Sequence, residues 1–224
     1  MTQQVVHAVD ATPAKRPEPV TIQGRYGRLE KLNAAKHAGA LWEAVKGHDQ
    51  VWTYLFNGPF SERADFDAYI EMFASREDPY AYAILDREGR AVGFATLMEI
   101  RPANRVIEVG NILYSPLLQR TPLATEVQYL LARYAFEGLR NRRYEWKCNS
   151  LNEPSRRAAL RYGFSFEGVF KQHMIVKGRN RDTTWYAMLD HEWPAVKRAF
   201  EAWLAPENFD AQGKQKKKLE AFRV

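Results

Sequence analysis

Two rhythms alternate along the chain, and their order lays out the elements. Leu41, Trp42 and Val45 fall on one side of a short helix over Ala34 to Val45, and Phe66, Tyr69, Ile70 and Phe73 repeat at helical spacing in a second, capped by Ser61 and running to Ser75. Between them His48 to Phe60, HDQVWTYLFNGPF, is aromatic but aperiodic, a loop closed by Gly58-Pro59. Arg25 to Lys31 reads as a first strand. Tyr80 to Leu85 and Ala91 to Met98 read as strands joined through Asp86-Arg87-Glu88-Gly89-Arg90 as a hairpin, and Arg105 to Tyr114 as the next strand. After Thr121 a stripe of Leu123, Val127, Leu130, Leu131 and Tyr134 marks a helix ending near Gly138. Tyr144 to Asn149 is a strand and Glu153 to Tyr162 a helix stopped by Gly163. Phe166 to Val176 and Thr183 to Leu189 form a last hairpin. Trp193, Val196, Phe200 and Trp203 define a closing amphipathic helix.

Helices first, a hairpin meander in the middle, then strand–helix–strand and a closing hairpin imply an α+β fold. The expected architecture is a single domain over residues 20–206, a mixed, mostly antiparallel sheet flanked by helices. Residues 1–19 are polar and proline-containing, a flexible lead-in, and residues 207–224 read as a charged tail. No segment repeats.

Composition narrows the function classes. With 46% apolar and 27% charged residues the chain has the make-up of a globular protein, and its longest apolar run is far too short for a membrane span. The N-terminal residues lack a signal-peptide pattern, and one cysteine excludes an internal disulfide framework; both fit a reducing cytoplasm. The net charge of +6 gathers in Arg140 to Arg143, Lys177 to Arg181 and Lys214 to Lys218. These read as turns and a solvated tail rather than a nucleic-acid face, with an anionic coenzyme as another taker for positive charge. His7, His37, His48, His173 and His191 show no metal-ligand spacing, so no metal is expected. A homodimer is left open.

The chemistry concentrates in Ile107 to Glu126, IEVGNILYSPLLQRTPLATE. An apolar strand carries Glu108 and Asn111, a turn follows at Ser115-Pro116, and Thr121-Pro122 opens a helix. Strand, loop and helix N-terminus aim backbone N–H groups and the positive end of a helix dipole into one crevice, an arrangement that attracts phosphate.

Gln119-Arg120-Thr121-Pro122-Leu123-Ala124 resembles the Q/R-x-x-G-x-G/A pyrophosphate loop of the GNAT superfamily of acyl-CoA-dependent N-acyltransferases, with Pro122 in place of a glycine. Ala124-Thr125-Glu126 is similar to the RimJ/RimL-type branch, which acetylates protein N-termini and other amines. Downstream, Lys147-Cys148-Asn149, Asn152-Glu153-Pro154-Ser155, Leu160 to Phe164 and Phe166-Glu167-Gly168 resemble the C-terminal half of RimL-type enzymes. Asp182 and Tyr186 also match residues of that branch.

The resemblance implies an acetyl-CoA-dependent N-acetyltransferase, with acetyl-CoA as co-substrate and a primary amine as acceptor. Glu108, 11 residues before Gln119, is the candidate general base. A main-chain N–H near Ile112 or Leu113 would polarise the thioester carbonyl. Gln119, Arg120, Thr121, Leu123 and Ala124 would hold the pyrophosphate, and Asn152 the pantetheine arm or the cap of its helix. Ser155 and Tyr162 compete as proton donor to the coenzyme sulfur. The acceptor is expected against the aromatic loop, at Trp52 and Tyr54, and at Asn111. Where RimL-type enzymes carry a second glutamate this chain has Met174. Pro122 and Met174 motivate a rival reading, a coenzyme-binding module with weak catalysis. The acceptor is a peptide N-terminal α-amine by preference, or a small-molecule amine.

Overall fold

The computed structural model describes residues 8–223. Eight strands form one sheet: β1 (Ile22–Gln23), β2 (Arg28–Lys31), β3 (Tyr80–Leu85), β4 (Ala91–Arg101), β5 (Val106–Tyr114), β6 (Arg143–Asn149), β7 (Ser165–Val176) and β8 (Arg179–Leu189), in the spatial order β1-β2-β3-β4-β5-β6-β8-β7. Only β5 and β6 run parallel, and the crossover between them carries helix α3 (Pro122–Arg133). The mixed, mostly antiparallel sheet flanked by helices is therefore the observed architecture.

One face packs against α1 (Ala34–Val45) and α2 (Arg63–Ala74), burying Leu41, Phe66, Ile70 and Phe73 against Ala81, Ala83 and Phe94. The other packs against α3, α4 (Glu153–Tyr162) and α5 (Trp193–Leu204), around Ile107, Val109, Val127, Leu131, Tyr144 and Phe200. Gly163 ends α4 at φ 96°, a conformation costly for any side chain with a Cβ.

Several boundaries differ from the sequence reading: the expected first strand over Arg25 to Lys31 is shortened to β2, with β1 ahead of it, β4 runs on past Met98 to Arg101, and β8 starts at Arg179 rather than Thr183. Helix α2 is capped by Glu62, not Ser61, and without a side-chain hydrogen bond. Of the expected lead-in, residues 1–7 lie outside the described residues. The remainder is tied down: Ala14 and Lys15 N–H donate to the carbonyls of Pro102 and Leu139, and Tyr82 Oη donates to that of Glu18. The expected charged tail folds back. Leu219 is buried in the main core, Phe209 meets Trp203 edge-on, and Arg223 donates to the Leu160 carbonyl at 2.9 Å. Both segments look polar in sequence because only a few of their apolar side chains make the contact.

Candidate active site

The two parallel strands part company inside the sheet. Ladder pairing between β5 and β6 ends at Val109 opposite Trp146, although both strands continue. A bulge on β5 accompanies the parting: Phe94 and Thr96 on β4 pair with Leu113 and Gly110, so β5 has one extra residue there. Asn111 occupies the bulge at φ 46°, a region that Asn tolerates better than most residues, and its Nδ2 donates to Thr96 Oγ1 at 3.2 Å. A side chain at Gly110 would run into Met98 Sδ.

A cavity of about 790 Å³ opens at this parting and is lined from both sides of the sheet. Strand alternation sorts its walls. Glu108 pairs with Met98 and Glu145, and Lys147 with Trp185, so these side chains share the α1/α2 face with Thr183 and Arg181. Trp146 and Cys148 point to the α3/α4 face, where Ser155 and Tyr162 lie. The cavity thus joins an aromatic-roofed chamber on one face to the helix N-termini on the other.

Glu108 is 5% exposed and forms an ion pair with Lys147, Oε2 to Nζ at 2.8 Å. Burial pushes its pKa up, Lys147 pulls it back, and the balance lies at about 7. Main-chain geometry separates Ile112 from Leu113. Ser115 N–H donates to Val92 of β4, so by alternation Leu113 N–H also faces β4 and Ile112 N–H faces the parted side. Leu113 is moreover fully buried beneath α1 and α2. Ile112 lines the cavity; Leu113 does not.

Helix α3 begins with Thr121 as its N-cap, Oγ1 accepting from Ala124 N–H at 3.2 Å, and Pro122 at the first helical position. Arg120 is exposed at φ 62°, and Gln119 Nε2 donates to the Tyr114 carbonyl at 2.8 Å. Leu123 and Ala124 turn their side chains into the core, so only their main chain could serve an anion. Pro122 offers no N–H. The dipole and loop fit a pyrophosphate, with one donor fewer than a glycine would give.

Asn152 caps α4, Oδ1 accepting from Ser155 N–H at 3.1 Å, and both residues line the cavity. Ser155 Oγ accepts from Trp146 Nε1 at 3.0 Å, which leaves its own proton free to be donated. Tyr162 lines the same cavity but belongs to the core, stacked on Phe200 at 6.1 Å and 21° with its hydroxyl held protonated by burial. Cys148 is a buried thiol whose pKa burial raises, so it is poorly suited to nucleophilic work.

The aromatic loop does form a roof, but not with Trp52. That ring is 2% exposed and packs edge-on against Phe60, Phe66 and Tyr69, beneath the loop and away from the cavity. Tyr54 does line the cavity, its Oη donating to the Leu151 carbonyl at 2.9 Å. Lys177 Nζ clasps the loop from the last hairpin through the Trp52 carbonyl at 3.0 Å. Asn111 lines the cavity as well, with its amide nitrogen spent on β4.

Several lining residues escaped the sequence reading. The sequence shows Arg181 only as part of a basic turn and Lys147 only as part of a matching motif, and it gives Trp146 no role. The i, i+2 spacing of Glu145 and Lys147 was a legible signal for one shared face. On a regular strand His173 and Met174 would face opposite sides of the sheet. A bulge at Gln172, φ 51°, breaks the alternation, and both His173 and Met174 line the cavity.

The sheet's adjacent parallel strands thus part over a helix N-terminus, with a carboxylate on one wall and a hydroxyl on the other. Residues 28–165 match the family described as Acetyltransferase (GNAT) domain, and the chain belongs to that family. It is similar to a GCN5-related N-acetyltransferase from Brucella melitensis, at 51% identity and a TM-score of 0.94, covering 96% of this chain and 98% of that one. A probable GNAT-family acetyltransferase from Chromobacterium violaceum is 36% identical with a TM-score of 0.80, covering 87% and 98%. The ribosomal-protein-serine acetyltransferase of Escherichia coli is 30% identical over 103 residues, 46% of this chain and 57% of that protein, so the match spans little more than half of that relative.

Proposed function

We propose that this chain is an acetyl-CoA-dependent N-acetyltransferase acting on a primary amine, with a peptide N-terminal α-amine preferred over a lysine side chain. The observation that carries the reading is Glu108: a buried carboxylate with a pKa of about 7, on the cavity wall where β5 and β6 part. A group of that pKa is a competent base near neutrality.

Each residue then has a task. The N-terminus of α3, with Leu123 N–H and the Thr121 cap, holds the pyrophosphate. Asn152 and the start of α4 guide the pantetheine arm. Glu108 takes a proton from the acceptor ammonium, directly or through water, and the neutral amine attacks the thioester carbon. Ile112 N–H donates a hydrogen bond to the developing oxyanion. As the C–S bond breaks, Ser155, already accepting from Trp146, gives its proton to the departing sulfur and regains one, through water, from the nitrogen that becomes the amide.

One base of modest strength favours an acceptor that needs little deprotonation. An α-amine has a reference pKa of about 7.7–8.0 and a lysine about 10.4. Near pH 7 roughly one α-amine in ten is neutral, against fewer than one lysine in a thousand. The name of the Escherichia coli relative, a ribosomal-protein-serine acetyltransferase, supports a protein acceptor.

The test is a competition between a short peptide with a free N-terminus and its N-blocked, lysine-containing counterpart, followed by mass spectrometry and coenzyme thiol release. Acetylation of the free N-terminus is expected. Preferential acetylation of the blocked peptide's lysine would overturn the preference, and no thiol release with any amine would overturn the activity.

A further inference from the structure

Arg181 is the unexplained charge in the cavity. It is 7% exposed, yet among the described residues it forms no ion pair, whereas the half-buried cations Lys147 and Arg143 each lie against carboxylates. Its Nε donates to Thr183 Oγ1 at 3.2 Å, and its guanidinium lies over the Phe56 ring at 4.9 Å. Burial presses its pKa down, as expected of a cation short of a counter-charge. An unpaired guanidinium held this deep is costly unless a ligand completes it.

The sheet register decides which ligand. Arg181, Thr183 and Trp185 lie on one face of β8, and Trp185 faces Lys147, the partner of Glu108. Arg181 is therefore on the acceptor side, under the Tyr54–Phe56 roof, opposite the face of Ser155 and α4. By turning back to Thr183 its guanidinium stands about two strand residues, roughly 7 Å, from the level of Trp185 and Lys147. Cys148, where the strands part, and after it Glu108 are near enough to bias the charge of Arg181. A cation and an anion on one wall, a short molecule's length apart, complement an acceptor with the opposite pair.

We infer that the acceptor carries a carboxylate beside its amine, and that Arg181 is the residue that binds it. The inference rests on the cavity's role proposed above and specifies its substrate. The carboxylate has two sources: the α-carboxylate of a free amino acid, or an acidic side chain near a peptide N-terminus. In either case Glu108 receives the ammonium end and Arg181 the anionic end, a charge-assisted and geometrically specific contact.

Two matched pairs separate the sources: L-alanine with L-alaninamide, and the peptide amides Ser-Asp-Ala and Ser-Asn-Ala. The quantity read is the acid-to-neutral ratio of kcat/KM within each pair, compared between the wild-type protein and Arg181→Met. In at least one pair that ratio should fall by about tenfold to a hundredfold in the variant, through KM, as for loss of a charged hydrogen bond. Arg181→Lys should keep part of it, which also guards against misfolding of the Met variant. An unchanged ratio in both pairs overturns the inference. So does an equal fall in kcat for acid and neutral acceptors, which would assign the guanidinium to the departing sulfur, or a matching loss of acetyl-CoA affinity by calorimetry. Calorimetric binding of the four compounds to the CoA-loaded protein reads the charge preference without turnover. Binding that ignores the carboxylate defeats the inference, whereas absence of turnover alone defeats only the proposed activity.

Discussion

Lys147 Nζ lies 2.8 Å from Glu108 Oε2 and 3.2 Å from Glu145 Oε2, and it rests on the Trp185 ring at 3.9 Å. Glu108 and Glu145 are ladder partners on β5 and β6, and both are buried, yet they ionise differently. Burial works against the charge on each. At Glu145 it is outweighed by Arg143, Lys147 and Arg101, which hold that carboxyl below the usual range. At Glu108 Lys147 is the main opposing charge, and the pKa settles at about 7. Glu145 is the fixed anion beside Lys147, and Glu108 is the group left free to exchange a proton.

Activity should rise as pH passes upward through about 7, because the base works deprotonated and its pKa is raised. Glu108→Gln should remove that limb and lower neutral-pH turnover by about 10²–10⁴-fold, the usual range for a general base. Partial recovery at higher pH is expected as free amine accumulates. A pH–rate profile unaltered by the substitution would place the base elsewhere.

Lys147 lowers the Glu108 pKa, so removing its charge should raise it. In Lys147→Met the rising limb should move to higher pH, and Lys147→Arg should bring it back toward the wild-type position. The same profiles measure this; a limb that stays in place would show that the ion pair has no hold on the base.

The two candidate proton donors predict different outcomes. Ser155→Ala should reduce kcat throughout the pH range, without the recovery seen for Glu108→Gln. Tyr162→Phe keeps the ring stacked on Phe200 and should leave turnover within a few-fold of wild type. Steady-state kinetics on both variants decides; a severe kcat loss in Tyr162→Phe alone would transfer the role.

Acetyl-CoA should stabilise the fold by mass action, by about 2.7 kcal/mol at a hundredfold excess over its dissociation constant. Thermal melts read this directly. A melt unmoved by saturating acetyl-CoA would rule out the coenzyme assignment of the Gln119 to Ala124 loop.

Trp52→Ala should cost about 3–5 kcal/mol of stability, because it empties the core under α1 and α2. Tyr54→Phe should melt close to wild type while raising the acceptor KM, since it frees the roof from the Leu151 carbonyl. Denaturant titration paired with acceptor saturation curves separates the two effects.

Much of this was legible in the sequence because it is local. Helical spacing gave α1 and α4 their observed ends, and Thr121-Pro122 opened α3 as capping chemistry requires. Strand alternation alone puts Glu108 on the face opposite Ile107 and Val109, and those two lie in the main core. What escaped depended on contacts between distant segments. Trp52 could be roof or core until its loop was docked, and the polar C-terminal stretch hid Leu219 until α5 offered it a surface. The bulges at Asn111 and Gln172 reset which side chains face the cavity, and no period in the sequence announces a bulge. Above all, the pKa of Glu108 was set by desolvation and by a lysine 39 positions away in the chain, brought within 2.8 Å by the parallel pairing of β5 and β6. Side-chain type and spacing fix elements and candidate groups, whereas the field at a site is summed over neighbours that only tertiary packing assembles.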